Sequence, residues 1–191
     1  MSETTVRLKD RDIQLRAFAP GDAAAMLAFA RSLPEHDLLF LSRDITHPKV
    51  VAAWLAQVAD GQIHSVVAVE GDAIIGCTAV VRDELGWSPH VGEMRVLLAV
   101  AARGSGLGRV LAQAAFGTAI SLGLEKLTAQ MTIDQAGAIG LFEELGFRGE
   151  ALLKDHVRGR DGRTYDIAVL SCDVARAASQ RAALGLTDGA A

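Results

Sequence analysis

The sequence predicts an α/β (α+β) domain in which strands and helices follow one another along the chain. Half of the 191 residues are hydrophobic and 22% are charged, which is typical of a globular protein with one sizeable core. Several apolar runs alternate with polar residues, as in strands, and other segments place apolar residues at helical spacing. The predicted order of elements is β-α-α-β-β-β-α-β-α-β-β.

The first third of the chain predicts one strand and two helices. Residues 13–18 form the strand, and Pro20 and Gly21 interrupt the pattern. Asp22 is expected to cap a helix that runs to about Leu33, because a short acidic side chain can accept an N-terminal amide. Residues 34–47 are irregular. Pro48 suits the first turn of a second helix, which runs to about Ala59 and ends at Gly61.

The middle of the chain predicts three strands and a long helix. Residues 64–81 form two strands joined by a turn at residues 70–72. A third strand covers Val91 to Val100. A glycine-rich loop follows it directly, and the helix then runs from Leu107 to Leu122.

The last third predicts a strand, a helix and a strand pair. Residues 127, 129 and 131 are apolar and alternate with polar ones, whereas the next segment carries an apolar stripe at helical spacing. Gly146 is placed to end that helix in the left-handed conformation. Residues 147–157 and 164–172 pair around a turn at 160–162. We expect one domain over residues 1–172 and an Ala-rich tail over 173–191, helical at first and then frayed.

Residues 103–108, Arg-Gly-Ser-Gly-Leu-Gly, are the most informative segment. They connect a strand to a helix N-terminus, where the first-turn N–H groups lack intrahelical partners and the helix dipole favours anions. The segment has neither the Lys of a Walker loop nor the third glycine of a dinucleotide fingerprint. It reads instead as Arg-x-x-Gly-x-Gly. The alternative is a tight turn that binds nothing.

A second motif lies further along the chain, over residues 135–147. Its spaced residues are Gln135, Ala138, Leu141, Phe142, Gly146 and Phe147. Together, the two motifs resemble those of the GNAT superfamily of N-acetyltransferases, over about residues 10–172. The resemblance implies a mixed, mostly antiparallel sheet of about seven strands, with helices on both faces and with strands 4 and 5 splayed apart.

The resemblance also implies acetyl-coenzyme A as the acyl donor. Backbone amides of the strand end would meet the pantetheine, and the N–H of Leu98 would stabilise charge on the thioester oxygen. Gln135 and Phe142 would lie beside the cofactor. The strand residues so assigned are Leu98, Ala99 and Val100, whose side chains at 98 and 100 we expect in the core. The pyrophosphate would sit on Arg103, Gly104, Ser105, Gly106, Leu107 and Gly108, with Arg109 nearby.

Direct attack by an amine needs a proton acceptor, because a free amine is mostly protonated at neutral pH. Glu93 lies where many members of the superfamily carry a base or a water-positioning carboxylate. It is also two residues from Arg95, so a structural ion pair is an equally good interpretation. Two further candidate sites are His156 with Asp155 and His90 with Glu84.

Phe142 departs from the family pattern, which has a tyrosine that protonates the departing thiolate. Phenylalanine cannot donate, although a thiol with a pKa near 8.5 can leave with little protonation. The only tyrosine is Tyr165. This departure keeps open a coenzyme-A-binding sensor with little turnover, and transfer of a longer acyl group is a further alternative.

Composition and charge limit the classes of binding partner that we expect. A net charge of −4 gives no indication of nucleic acid or an anionic membrane surface. The two cysteines, Cys77 and Cys172, match no metal or redox spacing, so we expect no metal and two buried thiols. The absence of signal and membrane patterns favours the cytoplasm. We expect a small-molecule or peptide amine as acceptor, bound by residues 34–47 and 154–165, and a homodimer.

Overall fold

The computed structural model describes residues 3–183, with side chains to Ser179, and its strands form one eight-stranded sheet. The strands are Thr4–Leu8 (β1), Arg11–Ala17 (β2), Ile63–Glu70 (β3), Ala73–Val81 (β4), Val91–Leu98 (β5), Lys126–Thr132 (β6), Arg148–Arg158 (β7) and Thr164–Asp173 (β8). The helices are Ala23–Ser32 (α1), Pro48–Ala59 (α2), Leu107–Ser121 (α3), Ala136–Glu144 (α4) and Val174–Ala183 (α5). The order in the sheet is β1-β2-β3-β4-β5-β6-β8-β7.

Strands β5 and β6 form the parallel pair of an otherwise antiparallel sheet, and they separate along their length. Their register covers only Val91–Glu93 against Lys126–Thr128. Beyond it β5 continues to Leu98 and β6 to Thr132. The predicted mixed sheet with a splayed strand pair is therefore confirmed. The pair is the fifth and sixth strand, because the chain has one strand more than expected.

The extra strand is β1, which pairs with β2 from Thr4↔Leu15 to Leu8↔Arg11. It is an edge strand in which Val6 and Leu8 are half-buried against the core and the other three residues are polar and exposed. Two apolar residues are too few for the alternation to indicate a strand from the sequence.

Helices cover both faces of the sheet, as expected. On one face α1 packs through Met26 and Phe29 onto β3, β4 and β5, with Val67 and Leu97 in the same cluster. On the other face α3 packs through Leu111 and Phe116 onto the same strands and onto β6. The two layers hold the carboxyl end of β5 between them, which fixes the position of the loop that follows.

Two local expectations were wrong. Asp22 stands at the N-terminal position of α1, but its side chain makes no cap bond there. Its carboxylate instead accepts from Arg16 at 2.7 Å and from the Ala19 N–H at 2.9 Å. The strand expected to reach Val100 ends at Leu98, and a 3₁₀ turn covers Val100–Ala102. The Val100 side chain is 55% exposed, so it is not in the core.

The C-terminal helix α5 lies within the predicted tail, and the expected frayed end falls outside the described residues. Val174 and Ala177 pack into the core, and the Val174 N–H donates to the Glu125 carbonyl at 2.8 Å. None of the helices among residues 3–183 combines the length and apolar character of a membrane crossing. Both cysteines are free and buried, and burial raises each thiol pKa to about 12.

Candidate active site

A cleft of about 690 Å³ opens where β5 and β6 separate. Its volume lies within the range of about 300–1,000 Å³ that is usual for ligand sites. Loop 103–109 and α4 form its rim, and Met94 and Val96 of β5 form part of its wall. The predicted cofactor residues that line it are Leu98, Arg103, Gly104, Gly106, Gly108, Arg109, Gln135 and Phe142.

The glycine-rich loop presents free backbone donors to this cleft. Gly104 has φ of +67° and Gly106 has φ of +93°, values that favour glycine. The N–H groups of Gly104, Ser105 and Gly106 have no acceptor among residues 3–183. The Ser105 hydroxyl donates to the Ala102 carbonyl at 2.7 Å and so holds the turn. Three unpaired N–H groups before the N-terminus of α3 form a cradle for an anion.

Three N–H groups of the loop already have hydrogen-bond partners within the protein. The N–H of Arg103 donates to Val100, and that of Arg109 donates to Gly106, so neither is free. Leu107 is fully buried in the core and its N–H lies 3.3 Å from the Ser105 hydroxyl oxygen. Neither Ser105 nor Leu107 lines the cleft with its side chain. Within the predicted run from Arg103 to Gly108, the N–H groups without an acceptor among residues 3–183 are therefore those of Gly104, Ser105, Gly106 and Gly108.

Of the three residues expected to meet the cofactor at the end of β5, Leu98 lines the cleft. Ala99 donates its N–H to the Ile75 carbonyl at 2.9 Å and accepts at its own carbonyl from Ala102, so its backbone is fully used. Alternate residues of an antiparallel strand point their N–H groups to opposite sides. The Leu98 N–H therefore faces away from β4 and into the splay. Ala99 and Val100 do not line the cleft.

Helix α4 forms one wall of the cleft with apolar side chains, among them Leu141 and Phe142. Phe142 is 5% exposed, and its ring packs edge-to-face on Phe147 with 5.0 Å between centroids. Gly108 lies where α3, α4 and β5 meet. A Cβ atom there would come 3.1 Å from Leu98 Cδ1 and 3.3 Å from Leu141 Cδ2. This close packing holds the start of α3 against the strand end.

Two arginines beside the cradle are each paired with an acidic residue. Arg103 donates to Asp37 of the 3₁₀ turn Glu35–Leu38, and Arg109 donates to Glu144 at the end of α4. Both arginines line the cleft. They add positive charge beside the loop, and their acidic partners connect the rim to two other elements.

Glu93 forms a two-pronged ion pair with Arg95. The Arg95 Nε donates to Glu93 Oε1 at 2.8 Å, and its Nη2 donates to Oε2 at 2.9 Å. Both side chains are about one-fifth exposed. Glu93 lines neither the cleft nor the second cavity described next. The expected ion pair is thus present.

A second cavity of about 150 Å³ lies on the α2 face of the sheet. Residues 41–45, α2 and the strands β3 to β5 enclose it. Leu97 lines both this cavity and the cleft, so the two spaces are neighbours. Residues 154–165, which we expect to help bind the acceptor, do not line this cavity. The turn of that hairpin instead packs on residues 34–47, where Arg160 donates to Asp44 at 2.7 Å.

A polar cluster at the end of β6 was not predicted as a unit. His36 Nε2 lies 3.0 Å from Asp134 Oδ1 and 3.0 Å from Thr132 Oγ1, and its ring is 5.0 Å from that of Tyr165. Asp134 lines the cleft. Burial acts to raise the pKa of Asp134, but hydrogen bonds, first that from Thr132, lower it overall. Residues 98 positions apart cannot be associated from sequence spacing.

The remaining acid–base candidates lie away from both cavities. Asp155 accepts from Thr164 within the β7–β8 hairpin, and the neighbouring His156 lines neither space. Glu84 pairs with Arg82, and His90 contributes its backbone carbonyl to residues 125 and 126. The described residues contain no group of three side chains suited to a metal ion.

Comparison with known proteins identifies the family of the chain. The model of the acetyltransferase (GNAT) family matches residues 29–147, which include both motifs. No curated protein sequence matches the chain.

Many solved structures share the fold. An N-acetyltransferase from Staphylococcus aureus Mu50 is 17% identical with a TM-score of 0.72, covering 85% of this chain and 98% of that one. Spermidine N-acetyltransferase from Vibrio cholerae, solved with CoA and spermine, is 18% identical with a TM-score of 0.72, covering 86% and 97%.

A protein from Salmonella typhimurium, solved with its cofactor acetyl-CoA, is 20% identical with a TM-score of 0.71, covering 94% and 96%. At these identities the likeness concerns the fold, whereas the family match covers more than half of the sequence. The chain is therefore an acetyltransferase that belongs to the GNAT family.

Proposed function

We propose that the protein transfers an acetyl group from acetyl-CoA to a primary amine. The observation that carries this proposal is the cradle of unpaired N–H groups at Gly104, Ser105 and Gly106, at the mouth of a cleft between splayed strands. A diphosphate fits such a cradle, because its oxygens accept hydrogen bonds and its charge is favoured at a helix N-terminus. The elongated remainder of the cofactor fits the cleft.

Each part of the cleft would serve a different part of the cofactor. The loop would hold the diphosphate, and the Leu98 N–H would meet the pantetheine or the thioester oxygen. Gln135 and Phe142 would pack on the opposite side. Bound acetyl-CoA supplies an activated acyl carbon, to which the amine nitrogen bonds as the C–S bond breaks, with the electron pair leaving on sulfur and the amine proton passing to a base or solvent.

The role of Glu93 follows from its partner. Both of its oxygens accept from Arg95, which supports the alternative that Glu93 positions Arg95 and does not itself take the amine proton. Its place on β5, before the splay, still allows action through water, so the base remains a prediction. Phe142 has no proton to give, and thiolate can leave without one.

Replacing Gly106 with Glu tests the cofactor site. The carboxylate would bring a negative charge to the cradle, so we expect calorimetric binding of acetyl-CoA to be lost. Gly71→Glu is the matched control, because Gly71 also has positive φ, at +58°, and lies in the β3–β4 turn with nothing within 4 Å of a Cβ. Equal affinity in the two variants would disprove the assignment of the loop.

The main alternative is a CoA-binding sensor, which the lack of a proton donor at Phe142 favours. Acceptor-dependent release of free thiol distinguishes the two functions. Tight binding of acetyl-CoA without such release, across amino acids, polyamines, aminoglycosides and peptide N-termini, would support the sensor. Comparing acetyl-CoA with longer acyl-CoA donors tests the remaining alternative. A homodimer and a cytoplasmic setting also remain predictions, which sedimentation and fractionation can test.

A further inference from the structure

We propose that the second cavity, beside the cleft, is the acceptor site and selects an amino carboxylate with an apolar side chain, such as a free α-amino acid. This inference rests on the proposed function, because it names the amine that the acetyl group reaches. It is carried by the walls of the cavity, by its charged groups and by its position against the cleft.

The walls of the second cavity suit a compact apolar body. Ile45, Val50, Val81 and Leu97 contribute aliphatic side chains. Trp54 adds an indole wall whose Nε1 donates to the Ser65 hydroxyl at 2.8 Å, which fixes its orientation. The volume of about 150 Å³ admits a small molecule and excludes a long extended one.

Cys77 contributes a neutral wall to the same cavity. Its thiol is buried, and burial raises its pKa to about 12, so no thiolate forms there at neutral pH. The buried end of the cavity therefore offers hydrophobic contact and carries no negative charge.

The charged groups that line the second cavity are both cationic. Arg43 has no hydrogen bond or ion pair among residues 3–183, and Arg95 uses only Nε and Nη2 for Glu93. An arginine has five N–H donors, so three of those on Arg95 remain. No Asp or Glu lines the cavity. A carboxylate on the ligand would pair with these guanidinium groups.

The same charges disfavour a polyamine. A second ammonium group would meet the unpaired guanidinium of Arg43 and no carboxylate on the cavity wall, while Glu93 is already engaged by Arg95, so the arrangement is unfavourable for a polycation. Although the chain shares its fold with a spermidine N-acetyltransferase, we infer a different acceptor, because binding of a polycation calls for acidic residues in this cavity.

Leu97 lies between the proposed acceptor site and the cleft in which the acetyl group would be transferred. It lines both spaces and precedes Leu98, whose N–H faces the splay. Arg95 lies on the same face of β5, two residues earlier, about 6.6 Å along the strand. A carboxylate held at Arg95 would place the amine of the same small molecule toward Leu97 and the splay.

Matched acceptors test the charge requirement. With acetyl-CoA, we expect kcat/KM for leucine to exceed that for leucinamide and for spermidine at least tenfold. Leucine should also raise the melting temperature of the protein without acetyl-CoA, and leucinamide should not. Faster acetylation of spermidine or leucinamide would overturn the inference while leaving the proposed transfer intact.

Removing one cation sharpens the test. Arg43→Gln should lower the ratio of kcat/KM for leucine over leucinamide about tenfold, through KM. Arg158→Gln is the control, since Arg158 is an exposed arginine on β7 that lines neither space. An unchanged ratio in Arg43→Gln would contradict the assignment. If the wild type does not bind acetyl-CoA, the proposed function is contradicted. The change in melting temperature with leucine still tests the acceptor site in that case.

Discussion

Gly108 offers a quantitative test of how tightly the cofactor cleft is built. Its ideal Cβ position is 3.1 Å from Leu98 Cδ1 and 3.3 Å from Leu141 Cδ2, closer than ordinary van der Waals contact. Both leucines line the cleft. We therefore expect Gly108→Ala to move the walls of the cleft by a few tenths of an ångström.

Gly117 in the same helix provides the reference for this substitution. It has nothing within 4 Å of a Cβ, so Gly117→Ala should gain about 0.5–1 kcal/mol from the lower backbone entropy of the unfolded chain. Gly108→Ala gains a similar amount but adds overpacking of about 1–3 kcal/mol. The two variants should therefore differ in melting temperature by about 3–9 °C.

Binding provides the second measurement on the same two proteins. If about 1 kcal/mol of the strain at Gly108 falls on the cleft, the Kd for acetyl-CoA should rise about fivefold in Gly108→Ala. Gly117→Ala should bind like the wild type. Calorimetry and thermal unfolding measure both quantities. If both variants melt higher than the wild type and bind acetyl-CoA equally, the close packing of α3, α4 and β5 does not shape the site.

Two further predictions concern charged pairs. Glu93→Gln should lower the acetylation rate by a similar factor at pH 7 and pH 9, because the carboxylate holds Arg95 in place. The melting temperature should also fall. A loss of rate confined to neutral pH would instead identify Glu93 as the base. The hydrogen bond from Arg16 lowers the pKa of Asp22, so its stabilisation is complete above the unfolded pKa near 4 and disappears as pH falls through the lower folded value. Asp22→Asn should cost about 2 kcal/mol at pH 7, and the difference from the wild type should shrink in acid unfolding experiments; a difference that stays constant below pH 4 would exclude this linkage.

Much of the site could be recognised from the sequence because its signals are local. Glycines at 104 and 106 adopt positive φ in the structure, and they were the basis of the loop prediction. Gly146 likewise has φ of +97° after α4. Turn glycines and helix starts follow from short-range backbone sterics, and short segments carry that information by themselves.

Backbone partners were harder to predict. From the sequence we assigned residues 98–100 the same role at the cofactor. In the structure the Ala99 N–H donates to the Ile75 carbonyl, and of the three residues Leu98 lines the cleft. Which side of a strand a given N–H faces depends on the register with its neighbour, and no pattern within β5 reports that register.

By itself, then, the sequence determined the strand–loop–helix unit, the second motif and the family that they indicate. Only the tertiary structure decided where β5 and β6 part, because their pairing joins residues more than 30 positions apart over just three positions of register. It also brought Arg43 and Arg95 to one small cavity and left the 154–165 hairpin outside it. Backbone sterics depend on neighbouring residues, whereas a binding site depends on contacts between segments that are far apart in the sequence.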